Sequence, residues 1–363
     1  MTDTYRVARY YETVRTAHLE RLAEFTPGWL LYERVQYDWD DELAARSPGL
    51  KHATFPQVLA FALRAPIGVL EVNEPLALTM WPKLVALSWA LCLRRVTGRG
   101  RVELVAYCIE NFDPVTKLRY RTRLPRLVAA PLVVLGMAIV GARFSRLAFG
   151  TDDAYQVYAR SGGAGWRFLS GRARVFPALP APAQASVEKV PGTVGFLGAL
   201  DGRKGSRQLV AAWPLIAGSM PDATLLIMGK GPDAVAVGEW AATRDEVCFR
   251  PDPGRAIIRR GLAELSVLVL LSQPGPMWKE QVGLPIVEGL AHGCEIVAST
   301  ETGLATWLQQ HGHAVLAPDC STSELAAAVV KRLQGARPSS AITGALPAED
   351  GRLSADRWLM GAR

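Results

Sequence analysis

Two carboxylates, Glu280 and Glu288, stand eight positions apart in Glu280-Gln-Val-Gly-Leu-Pro-Ile-Val-Glu288-Gly-Leu-Ala-His-Gly293, where a loop should turn into a helix. Pro285 suits the first helical position, because its missing N–H costs nothing there. The backbone donors of Gly283, Leu284 and Ile286 would then point out of the positive end of the helix, where a diphosphate is favoured. Each carboxylate accepts hydrogen bonds only, so it suits paired sugar hydroxyls better than phosphate oxygens. A plain acidic helix start would account for Glu288. It would not account for the order of strand-end loop, glycine, proline and both acids.

The elements that must position these residues follow from the apolar pattern. Short apolar runs at Thr193–Leu197, Thr224–Met228, Val247–Arg250, Leu265–Leu271, Glu295–Ala298 and Ala314–Ala317 alternate with helical patterns. This alternation predicts a parallel sheet covered by helices. Ser321 and Glu324 form a capping box before Leu325, Val329 and Leu333, which marks the last helix of that region. Pro214 should kink or stop the preceding Leu209-Trp213-Ile216 helix near Trp213.

The order Val194-Gly-Phe-Leu-Gly198, Lys204-Gly205, Leu226-Ile-Met-Gly-Lys-Gly-Pro232, the two glutamates, Val297-Ala-Ser299 and Glu301-Thr-Gly303 resembles the retaining glycosyltransferases of family 4, with the GT-B fold. The resemblance spans residues 191–335 and is looser over residues 1–190. It implies an α/β chain with two Rossmann-like domains facing each other across a cleft. The expected division is 1–180 for the acceptor, 181–340 for a nucleotide sugar, and a 341–363 tail with a helix near Trp358 crossing back. It also implies that Lys204 meets the donor phosphates, that Glu280 positions the donor sugar, and that Glu288 takes the ribose hydroxyls. Gly198, Gly229, Lys230 and Arg250 would lie near base and diphosphate, with the backbone of Gly283 and Leu284. Trp278 either packs on the sugar or anchors its loop.

Two departures stand out. Relatives commonly carry an arginine where this chain has Ala199, so Arg203 is the expected substitute. Relatives also carry a histidine at the end of an amino-terminal strand, whereas His18 and His52 lie elsewhere and the matching strand ends at Glu110 and Asn111. Neither a metal site nor a cofactor is expected, since the histidines have no ligand spacing and the co-substrate is the nucleotide sugar itself.

At 363 residues and 49% hydrophobic content, the chain can fill two cores. Its five cysteines are scattered without a Cys-x-x-Cys pair, which points to a reducing, cytoplasmic setting. The polar start, Met-Thr-Asp-Thr-Tyr-Arg, does not read as a signal peptide. Pro177–Gly192, rich in proline and alanine, reads as an interdomain linker.

In the first half, Ile67–Val72 and Val102–Ile109 read as strands. Met1–Tyr37 lacks the glycine-rich turn that usually opens such a domain, which leaves Leu30–Val35 as the expected first strand. Ligands gather at the carboxyl ends of parallel strands. Asn73, Glu74, Glu110 and Asn111 are therefore the acceptor-side candidates.

Charge is uneven: residues 1–190 carry 25 Lys/Arg against 17 Asp/Glu, whereas residues 191–363 carry 16 against 17. No nucleic-acid module accompanies the basic excess. The apolar segments Leu76–Leu93 and Leu127–Ala142 are interrupted by Pro82, Lys83 and Pro131 and are too short to span a bilayer. Arginines nonetheless flank the second, so residues 119–146 suit either a peripheral contact with anionic membrane or a buried helix with solvated arginines. The function expected is transfer of a sugar from a nucleotide-diphosphate sugar, UDP or GDP, to a hydroxyl of a glycan, lipid-linked intermediate or natural product. The alternative is a non-catalytic GT-B protein that binds a nucleotide sugar or scaffolds another transferase at a membrane.

Overall fold

The structure is a computed structural model, and it describes residues 5–36, 39–72, 74–183 and 188–361. The chain divides into two compact units, Met1–Pro177 with Arg352–Arg363, and Ala178–Gly351. Residues 341–351 therefore stay with unit 2, and the last helix, Gly351–Met360, belongs almost wholly to unit 1.

Among its described residues, unit 1 holds seven strands: β1 (Val7–Val14), β2 (Trp29–Val35), β3 (Leu50–His52), β4 (Val69–Val72), β5 (Glu103–Cys108), β6 (Phe144–Phe149) and β7 (Ala173–Val175). They form one parallel sheet in the order β3-β2-β1-β4-β5-β6-β7. The chain builds outward from β1 in one direction, then returns to add β4 on the other side. Leu30–Val35 is thus not the first strand; it lies in β2, and β1 precedes it. Arg9 and Glu12 hide β1 from an apolar search, yet Arg9 is fully buried.

Burial of that guanidinium requires partners. Arg9 lies 2.5 Å from Asp356 and 3.4 Å from Glu71, while Arg352 lies 2.6 Å from Glu71. Tyr11 donates to Glu71 at 2.9 Å, and the Thr26 N–H donates to Asp356 at 2.8 Å. The Arg352 guanidinium also rests 4.5 Å over the rings of both Phe25 and Tyr107. These contacts fasten the Gly351–Met360 helix to the sheet, with Ala355 and Leu359 packed on Val105 and Ala148.

The other face of the sheet is covered by helices including Trp81–Val96 and Arg126–Gly141, which bury Leu84, Leu87, Val133 and Met137. No helix among the described residues is long and apolar enough to cross a membrane.

Unit 2 holds β8 (Thr193–Leu197), β9 (Thr224–Gly229), β10 (Val247–Pro251), β11 (Val267–Leu270), β12 (Glu295–Ser299) and β13 (Ala314–Leu316). Each falls within or beside a segment read as a strand. The parallel order is β10-β9-β8-β11-β12-β13. Every residue of β11 and β12 is buried, as expected of central strands covered on both faces. The Ser321–Glu324 capping box opens the Thr322–Gln334 helix.

Pro214 does not stop its helix, which runs Ser206–Ser219. The ring lies on the exposed side, where water can satisfy the carbonyl that proline deprives of a donor. Trp213, fully buried beside it, donates its indole N–H to Glu246 at 3.1 Å.

The described part of the proline-rich stretch is no free tether. Leu179 is buried and accepts from the Gly351 N–H, and the Ala183 N–H donates to Ala291 at 2.8 Å. Residues 184–187 of that stretch lie outside the described residues.

Removing one member of a buried ion network leaves its partner's charge stranded, at a cost of about 3–5 kcal/mol. Asp356→Ala should therefore lower unfolding free energy by about that amount in a urea melt. Glu42→Ala, whose partner Arg46 is equally exposed, should change nothing measurable.

Candidate active site

In unit 2 the strand order reverses between β8 and β11, so the loops that leave these neighbours diverge and open a crevice at their carboxyl ends. Lys204 comes from the loop after β8, and Glu280 from the loop after β11. Gly205, with φ of 80°, caps the Ser206–Ser219 helix. A Cβ there would stand 2.4 Å from the Leu271 carbonyl oxygen, so the two loops approach to a distance only glycine permits.

This approach brings Lys204 Nζ into an ion pair with Glu280 Oε2, an oxygen that also accepts from Ser272 Oγ at 2.9 Å. Glu280 is only 7% exposed. Its loop is tied down by the Gly303 N–H on the Glu280 carbonyl at 3.2 Å and by Thr302 Oγ1 on the Val282 carbonyl at 2.7 Å. Trp278 lies beneath two cations, with Lys204 Nζ 5.0 Å and the Arg203 guanidinium 5.3 Å from its ring centre. Its visible role is thus to anchor that cation pair. Arg203 also pairs with Asp201 at 2.6 Å.

Gly283, with φ of 83°, caps the Leu284–Ala291 helix. Leu284 is the first helical residue and Pro285 the second, one position later than the sequence suggested. The Ile286 N–H is already bonded to the Gly283 carbonyl at 2.8 Å, so it is not a free donor. The N–H groups of Gly283 and Leu284 are unengaged by the described residues. Glu288, in the second turn, pairs with Arg255 at 2.9 Å. Sequence reading missed Arg255, because 33 residues separate it from Glu288.

The turns at Gly198 and Gly229-Lys230 pack together. A Cβ on Gly229 would lie 1.9 Å from the Gly198 carbonyl oxygen, and the Leu200 N–H donates to the Lys230 carbonyl at 2.8 Å. Lys230 itself pairs with Asp252. Arg250 lies on the edge strand opposite Met228, and the backbone just after it meets the Gly229-Lys230 turn, with the Asp252 N–H on the Gly229 carbonyl at 3.2 Å. Arg250 also borders a groove of about 650 Å³ lined by Leu226, Cys248 and Ile257. Lys204, Glu280 and Glu288 do not border that groove.

Within unit 1, Glu74 follows β4, and Glu110 and Asn111 follow the neighbouring β5. Glu74 accepts from the N–H groups of Ile109 at 3.3 Å and Glu110 at 2.9 Å and from the Tyr158 hydroxyl at 3.0 Å. Burial, with the Glu110 charge nearby, pushes its carboxyl up to about 7. Glu110 pairs with Lys117 and accepts from the Phe112 N–H, while Asn111 is buried. Asn73 lies outside the described residues. A further charged group escaped the sequence: Lys83 reaches Glu12 at 2.9 Å and Glu33 at 2.6 Å, with the Tyr10 hydroxyl also on Glu33. The available signal was a lysine interrupting an apolar helix start.

Comparison with known proteins agrees with this architecture. Residues 191–335 match the family model described as Glycosyl transferases group 1, so unit 2 carries a domain of that family. The whole chain is similar to Anabaena Alr3699/HepE, solved with UDP, at TM-score 0.65 and 13% identity over 98% of this chain and 96% of that one. It is also similar to WaaG, a glycosyltransferase of lipopolysaccharide biosynthesis, at TM-score 0.60 and 13% identity over 98% and 100%. The lipopolysaccharide outer core galactosyltransferase WaaB aligns at TM-score 0.62 and 10% identity over 94% of both chains. A comparison with curated proteins gives no match. The fold is GT-B, as in these structures, and the family match lies within unit 2.

The raised carboxyl of Glu74 has a consequence for stability. The folded state holds a proton that the unfolded state releases from about 4.5 upward, so stability from this group is full below 4.5 and declines toward pH 7. Glu74→Gln should flatten that decline. Thermal midpoints of both proteins across this range test it, and parallel curves would refute it.

Proposed function

We propose that the protein is a retaining glycosyltransferase that moves a sugar from a nucleotide-diphosphate donor, UDP or GDP, to a hydroxyl acceptor. The observation that carries this reading is the Lys204–Glu280 pair, held at the strand reversal of a glycosyl transferases group 1 domain. The UDP bound to HepE supports a uridine donor.

Each residue then has a chemical role. Lys204, with Arg203 beside it, offsets the charge that grows on the leaving diphosphate, which preorganised cations do most effectively. The N–H groups of Gly283 and Leu284 serve the same phosphates from the positive end of their helix. Gly198 and the Gly229-Lys230 turn accommodate the nucleotide. Glu280 accepts from donor-sugar hydroxyls and acts as a positioning carboxylate, not a nucleophile. Glu288, oriented by Arg255, accepts from the ribose hydroxyls.

The acceptor oxygen attacks on the face from which the diphosphate departs. One C–O bond forms as the other breaks, and the acceptor proton passes to the departing phosphate oxygen. No protein-bound metal or cofactor is invoked. The backbone after Arg250, beside the Gly229-Lys230 turn, lies on the nucleotide side of these steps.

Glu74, Glu110 and Asn111 are the acceptor-side residues of unit 1, with a glycan, lipid-linked intermediate or natural product as substrate. We place the enzyme in the cytoplasm, with residues 119–146 able to bring it to the inner face of an anionic membrane. The second reading is a non-catalytic binder or scaffold. It is favoured by Ala199 in place of the family's arginine and by Arg203 being shared with Asp201.

Nucleotide release from UDP-, GDP-, ADP- and dTDP-sugars separates the two readings. One donor should be hydrolysed slowly without acceptor, and Lys204→Ala and Glu280→Gln should each lower the rate by about a hundredfold or more while thermal midpoints hold. Unchanged rates would sink the site assignment. Donor binding without turnover on any acceptor would favour the scaffold.

A further inference from the structure

Of the sixteen large apolar side chains exposed among the described residues, ten lie on the helices Trp81–Val96, Pro114–Thr122 and Arg126–Gly141 of unit 1. The third helix shows why this matters. Ala129, Val133, Met137 and Val140 bury one side, yet the opposite side presents Leu132, Leu135 and Ile139 to solvent. A helix apolar on every side is built to be covered on every side, and the fold covers only one. Leu127, at its start, is 90% exposed.

The Trp81–Val96 helix extends this surface. Gly136 approaches Trp81 so closely that a Cβ would meet its ring at 2.1 Å, and Arg143 shares a small groove with Ser88, Cys92 and Arg95. The two helices therefore lie side by side. Trp89, Leu93 and Val96 stand exposed at one-turn spacing, with Trp89 67% exposed.

The rim decides the partner. No Asp or Glu occurs in residues 81–101 or 114–146. Arg95, Arg119, Arg121, Arg126 and Arg143 are all exposed. Two copies meeting through this face would bring like charges together. A polyanion without an apolar phase would satisfy the arginines and leave Leu127 and Trp89 in water.

We propose that this two-helix face is a monotopic docking surface for an anionic lipid bilayer. Trp89 and the leucines enter the acyl boundary while the arginines hold lipid phosphates. The inference deepens the membrane contact suggested above by adding the Trp81–Val96 helix and by requiring apolar insertion as well as charge. It does not depend on donor chemistry, so its failure and that of the transferase reading are separable.

The test is flotation of the full chain with phosphatidylcholine vesicles, with and without phosphatidylglycerol. Wild type should float only with the anionic vesicles. Leu127→Glu with Leu135→Glu, both at exposed positions, should abolish flotation while thermal midpoint and soluble-donor hydrolysis stay unchanged. Each arginine near an anionic surface contributes about fivefold. Replacing Arg119, Arg121 and Arg126 by glutamine should therefore weaken binding on the order of a hundredfold. Flotation insensitive to the leucine changes would overturn the proposal. So would a wild-type dimer in sedimentation that these changes dissociate without any lipid binding, since the face would then join two copies.

Discussion

An ammonium and a carboxylate at the mouth of unit 2 depend on one close approach, that of Gly205 to the carbonyl of Leu271. Two parallel strands adjacent in space but distant in sequence send their loops apart, and the site exists only where the loops are drawn back together. A side chain at position 205 would push them apart and separate Lys204 from Glu280. Either charge, once largely removed from water, is costly without the other. In the proposed reaction the same pair serves one donor, the cation its diphosphate and the carboxylate its sugar.

Unit 1 shows the same physics used for architecture. Arg9, Glu71, Arg352 and Asp356 are buried together, and their mutual pairing holds the last helix of the chain against the first strand. Neither end of this network could be read locally. A central strand that opens Val-Ala-Arg-Tyr-Tyr-Glu lacks the apolar run expected of a buried parallel strand, and its compensating charge lies 347 residues away in Asp356. By sequence, β2 therefore reads as the first strand, because Leu30 and Leu31 supply the run that β1 lacks. Among the described residues of unit 2, the six strands carry few charges and are legible in sequence.

A helix that is apolar on both sides has two meanings in sequence, buried or at a membrane. The packed structure answers half of that question by showing which side faces the core. Val133 and Met137 point inward, while Leu135 and Ile139, a half-turn away, do not. Composition alone cannot separate these faces, because the helical period assigns residues to sides without saying which side has a neighbour.

By itself, the sequence determined the strand and helix order of unit 2, the glycine positions that demand close turns, and the glutamates that flank a helix start. These depend on local backbone preferences and on side-chain period, which act over a few residues. Tertiary structure decided what no short window contains. It gave Glu288 its partner Arg255, set Lys204 and Arg203 over Trp278 and let Pro214 ride on a solvated helix face. Each of these outcomes depends on which residues become neighbours after the chain has crossed the sheet, and electrostatic pairing and burial are properties of neighbours in space.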